Sequence, residues 1–280
     1  MNNRKKILIL GGEGFIGRNI AKHLSIENDC FSLGIEKSPF IERKDEFMEG
    51  NPYKDKISGE YDVVIHLIDN ATAQDDFKQQ ELNLLKNITF VDTGHCILFS
   101  SAVIYANPDS EYAKRKILLE ETCKAYCKKN NINLTIFRLF NIYGEYQIPF
   151  KQGSLVANLL VNYLDDATTE INDMSAERDF IFASDMVKFI KYAIDNSYFG
   201  CTDLATEKLI KVGELIDIIE NEVVMEKIKI NDKGNKEDVV CPIAKNNLIG
   251  KIILTPIEEG LRKTLDFYRN NMYIINQNKK

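Results

Sequence analysis

The chain has 280 residues, of which 44% are hydrophobic and 28% charged, and its formal net charge at pH 7 is -6. No apolar run approaches the roughly 20 residues that a membrane-spanning helix needs. The basic residues 4–6 lead into a short strand-like run rather than into the long apolar segment of a secretory signal. The charges are spread along the chain without a basic stripe, which argues against a nucleic-acid-binding protein. We therefore expect a cytoplasmic protein with one large α/β domain and a smaller lobe, which contacts neither a membrane nor a nucleic acid.

Strand-like and helix-like segments alternate along the first half of the chain. The strands are predicted at residues 5–10, 30–35, 62–67, 96–100 and 134–139, and the helices at residues 15–26, 74–87 and 111–130. Strands separated by helices predict right-handed βαβ crossovers and a doubly wound parallel sheet that is covered on both faces.

The regular alternation loosens after Gly144. We therefore assign residues 1–144 to a nucleotide-binding domain and residues 145–280 mainly to a second lobe. Residues 183–199 are expected to return to the first domain.

The six cysteines form neither a metal-binding nor a disulfide pattern. Cys123 and Cys127 stand one helical turn apart, but no second pair and no nearby histidine would complete a zinc site. We expect no metal site, and buried or unreactive thiols as in a reducing compartment.

Residues 11–17 read GGEGFIG and join the first predicted strand to the first predicted helix. Gly12, Gly14 and Gly17 give the spacing G-x-G-x-x-G, whereas Gly11, Gly14 and Gly17 give G-x-x-G-x-x-G. In either spacing the backbone amides and the helix N-terminus can face a pyrophosphate, because glycine has no β-carbon to hold the phosphate away. The loop indicates a bound nucleotide, with a purely structural turn as the alternative.

The residues after the second strand bear on which cofactor binds. An acidic residue at this place normally binds the adenosine ribose hydroxyls of NAD and repels the 2′-phosphate of NADP. Glu36 stands there and favours NAD. Arg18 and Lys37 could instead hold the phosphate of NADP, or be solvated surface charges, so NADP stays open.

Tyr112 and Lys116 are four residues apart in a predicted helix and therefore share one helix face. A phenol is a weak acid, and a neighbouring ammonium group together with an oxidised nicotinamide stabilises its phenolate, which would make Tyr112 a base. The preceding strand ends at Ser101, whose hydroxyl could bond to the oxygen that gains or loses a proton. These three are candidate catalytic residues, with a surface pair and a turn-forming serine as the alternative.

Motifs along nearly the whole chain resemble those of the extended short-chain dehydrogenase/reductases, specifically the NAD-dependent epimerase/dehydratase family that modifies nucleotide sugars. The matching residues, in chain order, are Gly11, Gly14, Phe15, Ile16 and Gly17; residues 62–67 and Asn83; residues 100–105; Tyr112, Lys116 and Glu120; Arg138, Asn141, Tyr143 and Gly144; residues 178–181 and Asp185; and residues 255–262. The resemblance implies a Rossmann-type fold with a smaller C-terminal substrate-binding lobe. It also implies a nucleotide-diphosphate sugar as substrate, and a homodimer formed through helices 74–87 and 111–130.

The resemblance implies a role for each candidate site residue. Ser101, Tyr112 and Lys116 would act in catalysis, with Lys116 also holding the nicotinamide ribose. Ser101, Asn141 and Arg178 would contact the substrate, where a guanidinium suits its diphosphate. The residues implied for binding NAD are Gly11, Gly14, Phe15, Ile16, Gly17, Glu36, Asn51, Leu67 and Lys116.

The Tyr112–Lys116 pair also decides between the two glycine spacings. It is typical of the short-chain reductases, whose loop has the spacing of Gly11, Gly14 and Gly17. Gly12 is then expected to be an additional flexible residue inside the turn.

Members of the family that the motifs resemble differ in the reaction they catalyse. The sugar 4,6-dehydratases carry Thr-Asp-Glu where this chain has Ser101, Ala102 and Val103, so both carboxylates for eliminating water are missing and dehydration is disfavoured. We expect 4-epimerisation of a nucleotide-diphosphate hexose. The alternatives are reduction of a 4-keto-6-deoxy sugar nucleotide with NAD(P)H and, from another class, a non-catalytic regulator that binds the cofactor.

Overall fold

A computed structural model describes residues 4–40, 44–68, 76–150, 154–235 and 241–278. The strands are β1 (Lys6–Leu10), β2 (Asp29–Gly34), β3 (Glu46–Glu49), β4 (Glu60–His66), β5 (Thr89–Ser101), β6 (Asn133–Leu139), β7 (Asn141–Tyr143), β8 (Thr169–Ile171), β9 (Glu177–Phe182), β10 (Gly200–Leu204), β11 (Leu209–Lys211) and β12 (Ile230–Asp232). The helices are α1 (Phe15–Leu24), α2 (Phe77–Lys86), α3 (Val103–Ala106), α4 (Glu111–Lys129), α5 (Leu155–Leu164), α6 (Ala183–Asp195), α7 (Val212–Ile218) and α8 (Ile257–Asn278), and a π-helical turn covers Ile219–Val224.

Seven of these described strands form one parallel sheet in the order β10-β6-β5-β4-β1-β2-β3. The chain runs from β1 outward to β2 and β3, then returns to β4 on the other side of β1. The direction of winding therefore reverses beside β1. In open α/β sheets, ligands bind in the crevice at the carboxyl ends of the strands at such a switch point. The glycine loop that follows β1 lies there.

The apolar run of β1 is continuous because both faces of the sheet are covered. Ile7 and Ile9 pack into a cluster that includes α1 and α6, whereas Leu8 and Leu10 pack into a second cluster with α2 and α4. All four side chains are fully buried.

Two smaller sheets are formed by strands that follow β6 in the chain. Strands β11, β9 and β7 form a three-stranded sheet, and β12 pairs with β8. Helices α5, α7 and α8 pack around them in a separate apolar cluster. Strand β10 instead pairs with β6 in the large sheet, and helix α6 packs in the core of that sheet. The chain therefore leaves the large sheet after β6 and returns to it at β10, between the segments of the smaller sheets.

The predicted Rossmann-type α/β fold is confirmed, and all five predicted strands belong to the large sheet. Two strands of that sheet, β3 and β10, were not predicted. The predicted helix at residues 15–26 ends at Leu24, and residues 74 and 75 of the next predicted helix lie outside the described residues. No helix in the described part of the chain is long and apolar enough to cross a membrane.

Candidate functional site

The glycine loop is tied to the two strands beside it. Gly11 has a left-handed backbone with φ +81, and its amide donates to the Leu33 carbonyl at the end of β2 (2.9 Å). Gly12 is buried, and a β-carbon there would lie 2.3 Å from Oγ of Ser32. The expectation that Gly12 is an additional flexible residue is therefore wrong, because close approach to β2 requires a glycine.

The other two glycines of the loop have different surroundings. A β-carbon on Gly17 would lie 2.4 Å from the Gly11 carbonyl oxygen, so helix α1 packs directly on the loop. At Gly14, the residue before α1, the nearest protein atom would be 3.5 Å away. The N-terminus of α1 therefore has room for an approaching group, and its amides could hold the diphosphate of a dinucleotide.

Three further residues predicted to bind the cofactor follow strands β4, β2 and β3. Leu67 follows β4 beside Gly11, because a β-carbon on Gly11 would lie 3.6 Å from that of Leu67. Glu36 is exposed just after β2. Asn51 follows β3, where its side-chain oxygen accepts from the Tyr53 amide and shapes a turn (3.0 Å).

Phe15 and Ile16 begin α1 and pack against the cores of the protein. Ile16 lies against the cluster of the large sheet, and Phe15 lies against the cluster of the second lobe. In the structure these two side chains therefore join the glycine loop to both layers of the fold.

Arg18 does not face outward to a cofactor phosphate. Its Nη1 donates to Oδ1 of Asp45 at 2.9 Å, and both side chains are almost completely buried. The guanidinium carbon also lies 5.8 Å from the ring centroid of Tyr146. Lys37 lies over the ring of Phe47, with its Nζ 5.2 Å from the centroid. The predicted alternative in which Arg18 holds the phosphate of NADP does not fit this arrangement.

Helix α4 brings Tyr112 and Lys116 together. It begins after Ser110, whose hydroxyl accepts from the Ala113 amide (3.2 Å) and caps the helix. Tyr112 in the first turn is 43% exposed, and Lys116 one turn later is only 6% exposed. Lys116 Nζ lies 5.6 Å from the centroid of the Tyr112 ring. A buried ammonium beside an accessible phenol can stabilise the phenolate.

Ser101, Asn141 and Arg178 meet around a second part of the site. All three line a cavity of about 260 Å³ at the carboxyl end of β5. Asn141 also donates from Nδ2 to the Asp179 carbonyl at 3.3 Å. Tyr112 and Lys116 do not line this cavity.

A larger cavity of about 530 Å³ adjoins the first in the second lobe, and Phe140, Asn141 and Arg178 line both. Its other polar lining residues were not predicted individually, and they are Gln147, Ser154, Asn158, Glu170, Asn172 and Asp173. They come from α5, from β8 and from the segments beside them, and they carry no local motif. The only signal in the sequence was the loss of regular alternation after Gly144.

Arg178 and Asp179 are neighbours in β9 but face different surroundings, as strand alternation requires. Arg178 lines the two cavities. The Asp179 carboxylate is 1% exposed and accepts from the amide and hydroxyl of Thr206, each at 2.8 Å. Burial raises the pKa of Asp179, and the hydrogen bonds from Thr206 oppose that rise.

Comparison with known proteins identifies a family model and several relatives that match this chain. Residues 97–201 match the model of the NAD dependent epimerase/dehydratase family. A UDP-2-acetamido-2,6-beta-L-arabino-hexul-4-ose reductase of Pseudomonas aeruginosa is 29% identical over 219 residues, and the match covers 76% of this chain and 56% of that protein. A protein of Methanocaldococcus jannaschii, provisionally named as a UDP-glucose 4-epimerase, is 27% identical, and the match covers 95% of this chain and 99% of the relative.

A solved structure shares the fold. It is the UDP-N-acetylglucosamine 4-epimerase of Methanobrevibacter ruminantium M1, in complex with UDP-N-acetylmuramic acid. Its TM-score is 0.77 at 21% identity, and the match covers 96% of this chain and 99% of that one.

Proposed function

We propose that this chain, of which residues 97–201 match the model of the NAD dependent epimerase/dehydratase family, is an NAD-dependent 4-epimerase of a nucleotide-diphosphate hexose that acts through a transient 4-keto sugar. The observation that carries the proposal is the cavity shared by Ser101, Asn141 and Arg178. It joins a hydroxyl at a strand end to a guanidinium, and it adjoins a larger cavity in the second lobe. A sugar and its attached nucleotide would occupy the two in that order.

The glycine loop fits the proposed cofactor. Gly14 leaves room at the N-terminus of α1, and Gly11 and Gly17 let the loop and helix pack closely beneath it. Leu67 and Glu36 would contact the adenosine side, with Glu36 accepting from the ribose hydroxyls. When bound, NAD supplies a hydride acceptor and donor at its nicotinamide ring.

The chain's own residues would move the proton. From the exposed first turn of α4, Tyr112 would take the proton of the sugar 4-hydroxyl and would return a proton to the sugar oxygen as the 4-epimer forms. Lys116 would stabilise the phenolate of Tyr112 and would bind the nicotinamide ribose. Ser101 donates to the sugar oxygen whose charge changes. Arg178 pairs with the diphosphate while the sugar turns over.

Reduction of a 4-keto-6-deoxy sugar nucleotide is the second candidate. The relative named as a hexul-4-ose reductase favours it. So does the wall of the smaller cavity, where Val103, Ala106, Cys241 and Pro242 offer apolar surface that suits a sugar methyl group. Hydride would then be delivered once, and Tyr112 would protonate the resulting alkoxide.

The two reactions differ in whether nicotinamide is consumed. Purified protein with bound NAD should convert a nucleotide-diphosphate hexose to its 4-epimer without net change at 340 nm. Stoichiometric oxidation of added NADH or NADPH by a 4-keto sugar nucleotide would instead establish the reductase. Binding of NAD without turnover of any nucleotide sugar would favour the third alternative, a non-catalytic regulator that binds the cofactor.

Tyr112→Phe tests the proposed base. We expect kcat to fall by about 100-fold or more, because general acid–base catalysis commonly contributes this much, while NAD binding is retained. Tyr273→Phe is the matched control, because Tyr273 is 76% exposed on α8. Equal turnover by the two variants would refute the role of Tyr112.

We further propose a cytoplasmic homodimer formed through α2 and α4. These helices pack together on one face of the large sheet, and Ile117 on α4 is 37% exposed. Light scattering should give twice the chain mass of 32.1 kDa. A monomer mass at micromolar concentration would exclude the dimer.

A further inference from the structure

Arg138 stands at the centre of a hydrogen-bonded network beneath the candidate catalytic residues. It lies in β6, where it is paired in register with Ser100 of β5. Its Nε and Nη2 donate to the two carboxylate oxygens of Glu120 at 2.9 and 2.8 Å, forming a bidentate fork. Its Nη1 donates to the hydroxyl of Tyr105 at 2.5 Å.

The network reaches further through Tyr105. The Tyr105 hydroxyl donates to Oδ1 of Asp203 in β10 (3.0 Å), and Oδ2 of Asp203 accepts from the Lys245 amide (2.8 Å). The guanidinium carbon of Arg138 also lies 5.2 Å from the centroid of the Tyr105 ring. Tyr105 is thus held by its hydroxyl and by its ring.

Both ends of the Arg138 network lead to the candidate catalytic residues. Glu120 follows Lys116 by four residues and Tyr112 by eight, so all three lie along one stripe of α4. Tyr105 follows Ser101 by four residues and lies in α3, the short helix that begins just after β5. One guanidinium therefore connects the helix of Tyr112 and Lys116 to the segment of Ser101.

Glu120 is held in place by burial and by hydrogen bonds from two basic side chains. Glu120 is 3% exposed, and it also accepts from Lys124 Nζ at 3.1 Å. Burial alone would raise the pKa of Glu120, but the hydrogen bonds from Arg138 and Lys124 outweigh burial and hold the pKa below its ordinary value. The carboxylate stays charged near neutral pH, and a charged bidentate pair is strong and directional.

We propose that Arg138 is a positioning residue, which with Tyr105 fixes the distance between Ser101 and the Tyr112–Lys116 face of α4. The proposal rests on the catalytic assignment of those three residues in the proposed function. Arg138 does not act on the substrate itself. Its effect would be on geometry, where a misplacement of about 1 Å can cost about 100-fold in rate.

Two variants separate positioning from stability. Arg138→Lys keeps the positive charge but cannot form the fork, and Tyr105→Phe removes one hydroxyl while keeping the ring. We expect each to lower kcat per NAD-binding site by about tenfold or more, with KM changed by less than about twofold. Arg269→Lys is the matched control, because Arg269 lies at the surface of α8, where it pairs with Asp266 at 3.3 Å. A lower melting temperature with unchanged kcat per site in both network variants would overturn the proposal.

Chemical rescue gives an independent readout. Guanidinium ion at millimolar concentration should raise the kcat of Arg138→Ala by about tenfold, because it can occupy the vacated fork. Methylammonium should not do so. Equal restoration by the two ions would contradict a role that depends on the planar fork.

Amide hydrogen exchange without substrate distinguishes this proposal from the proposed function. In Tyr105→Phe, residues 101–106 and 111–116 should exchange about tenfold faster or more, while residues 177–182 keep their wild-type rates. If the wild type turns over no nucleotide sugar, the proposed function fails, and exchange still decides whether the network holds these two segments. Unchanged exchange in both segments would overturn the positioning role.

Discussion

Gly17 packs so closely on Gly11 that a β-carbon at residue 17 would lie 2.4 Å from the Gly11 carbonyl oxygen. That oxygen belongs to backbone, which cannot move aside as the end of a flexible side chain can. Residue 14, by contrast, meets no protein atom closer than 3.5 Å. Two glycines of one motif therefore differ in what they do for the fold.

This difference predicts opposite behaviour for two alanine variants. Gly17→Ala should lower the free energy of unfolding by roughly 1–3 kcal/mol, the usual cost of overpacking. Gly14→Ala should leave stability within about 0.5 kcal/mol but weaken NAD binding about tenfold or more, because its methyl group would occupy the room left for a diphosphate. Urea unfolding and a fluorescence titration with NADH measure the two effects. Full NAD affinity in Gly14→Ala would place the diphosphate elsewhere.

The buried pair of Arg18 and Asp45 predicts a large loss of stability when one partner is neutralised. Asp45→Asn removes the carboxylate that lies 2.9 Å from the buried Arg18 guanidinium, and breaking such a pair commonly costs about 3–5 kcal/mol. Asp29→Asn is the control, because Asp29 is half exposed and pairs with Arg4 at the surface. It should cost less than about 1 kcal/mol. Similar unfolding free energies for the two variants would contradict the conclusion that Arg18 and Asp45 form a buried ion pair that stabilises the fold.

Cofactor preference follows from the same geometry. With Arg18 engaged by Asp45, we expect NAD to bind at least about tenfold more tightly than NADP, since Glu36 would oppose the 2′-phosphate. Glu36→Gln should reduce the difference between the affinities for NAD and NADP, mainly by weakening the binding of NAD. Isothermal titration of both cofactors to both proteins measures the preference. Tighter binding of NADP by the wild type would exclude this role for Glu36.

The sequence was sufficient for the parts of the fold that depend on local pattern. The continuous apolar run of β1 predicts a strand buried on both faces, and its residues are fully buried. Strand β3, with the sequence EFME, is a half-exposed edge strand and carries no such run. Strand β10 belongs to the sheet because it pairs with β6, more than sixty residues earlier in the chain. Neither strand has a local signal strong enough to reveal it.

The site divides in the same way. Tyr112 and Lys116 could be paired from helix periodicity, because their contact lies within one turn of α4. The requirement for glycine at residue 12 could not be foreseen, because it arises from Ser32 in the next strand. The network of Arg138 likewise joins residues of four separate elements. Contacts between distant segments are set by packing, which a single motif does not encode.

His95 gives a prediction on acid stability. It lies in β5 with 7% exposure, and its Nε2 is 2.8 Å from the hydroxyl of Thr135. Burial, with a smaller contribution from the charge of Lys5, lowers the pKa of His95 to about 4 from the ordinary value of 6.5. The folded protein therefore keeps this imidazole neutral under conditions in which the unfolded chain protonates it.

The sign of the effect follows from proton binding. Between pH 6.5 and 4 the unfolded chain holds a proton on His95 that the folded protein lacks, so the free energy of unfolding falls as the pH is lowered through this range. A shift from 6.5 to about 4 corresponds to about 3 kcal/mol. His95→Gln can still donate to Thr135 but cannot titrate, so its stability should fall by about 3 kcal/mol less than that of the wild type between pH 7 and pH 4. Urea unfolding of both proteins at half-unit pH steps measures the two curves. Parallel curves would mean that His95 titrates alike in the folded and unfolded chains, because only a difference in proton affinity between the two states can make stability depend on pH.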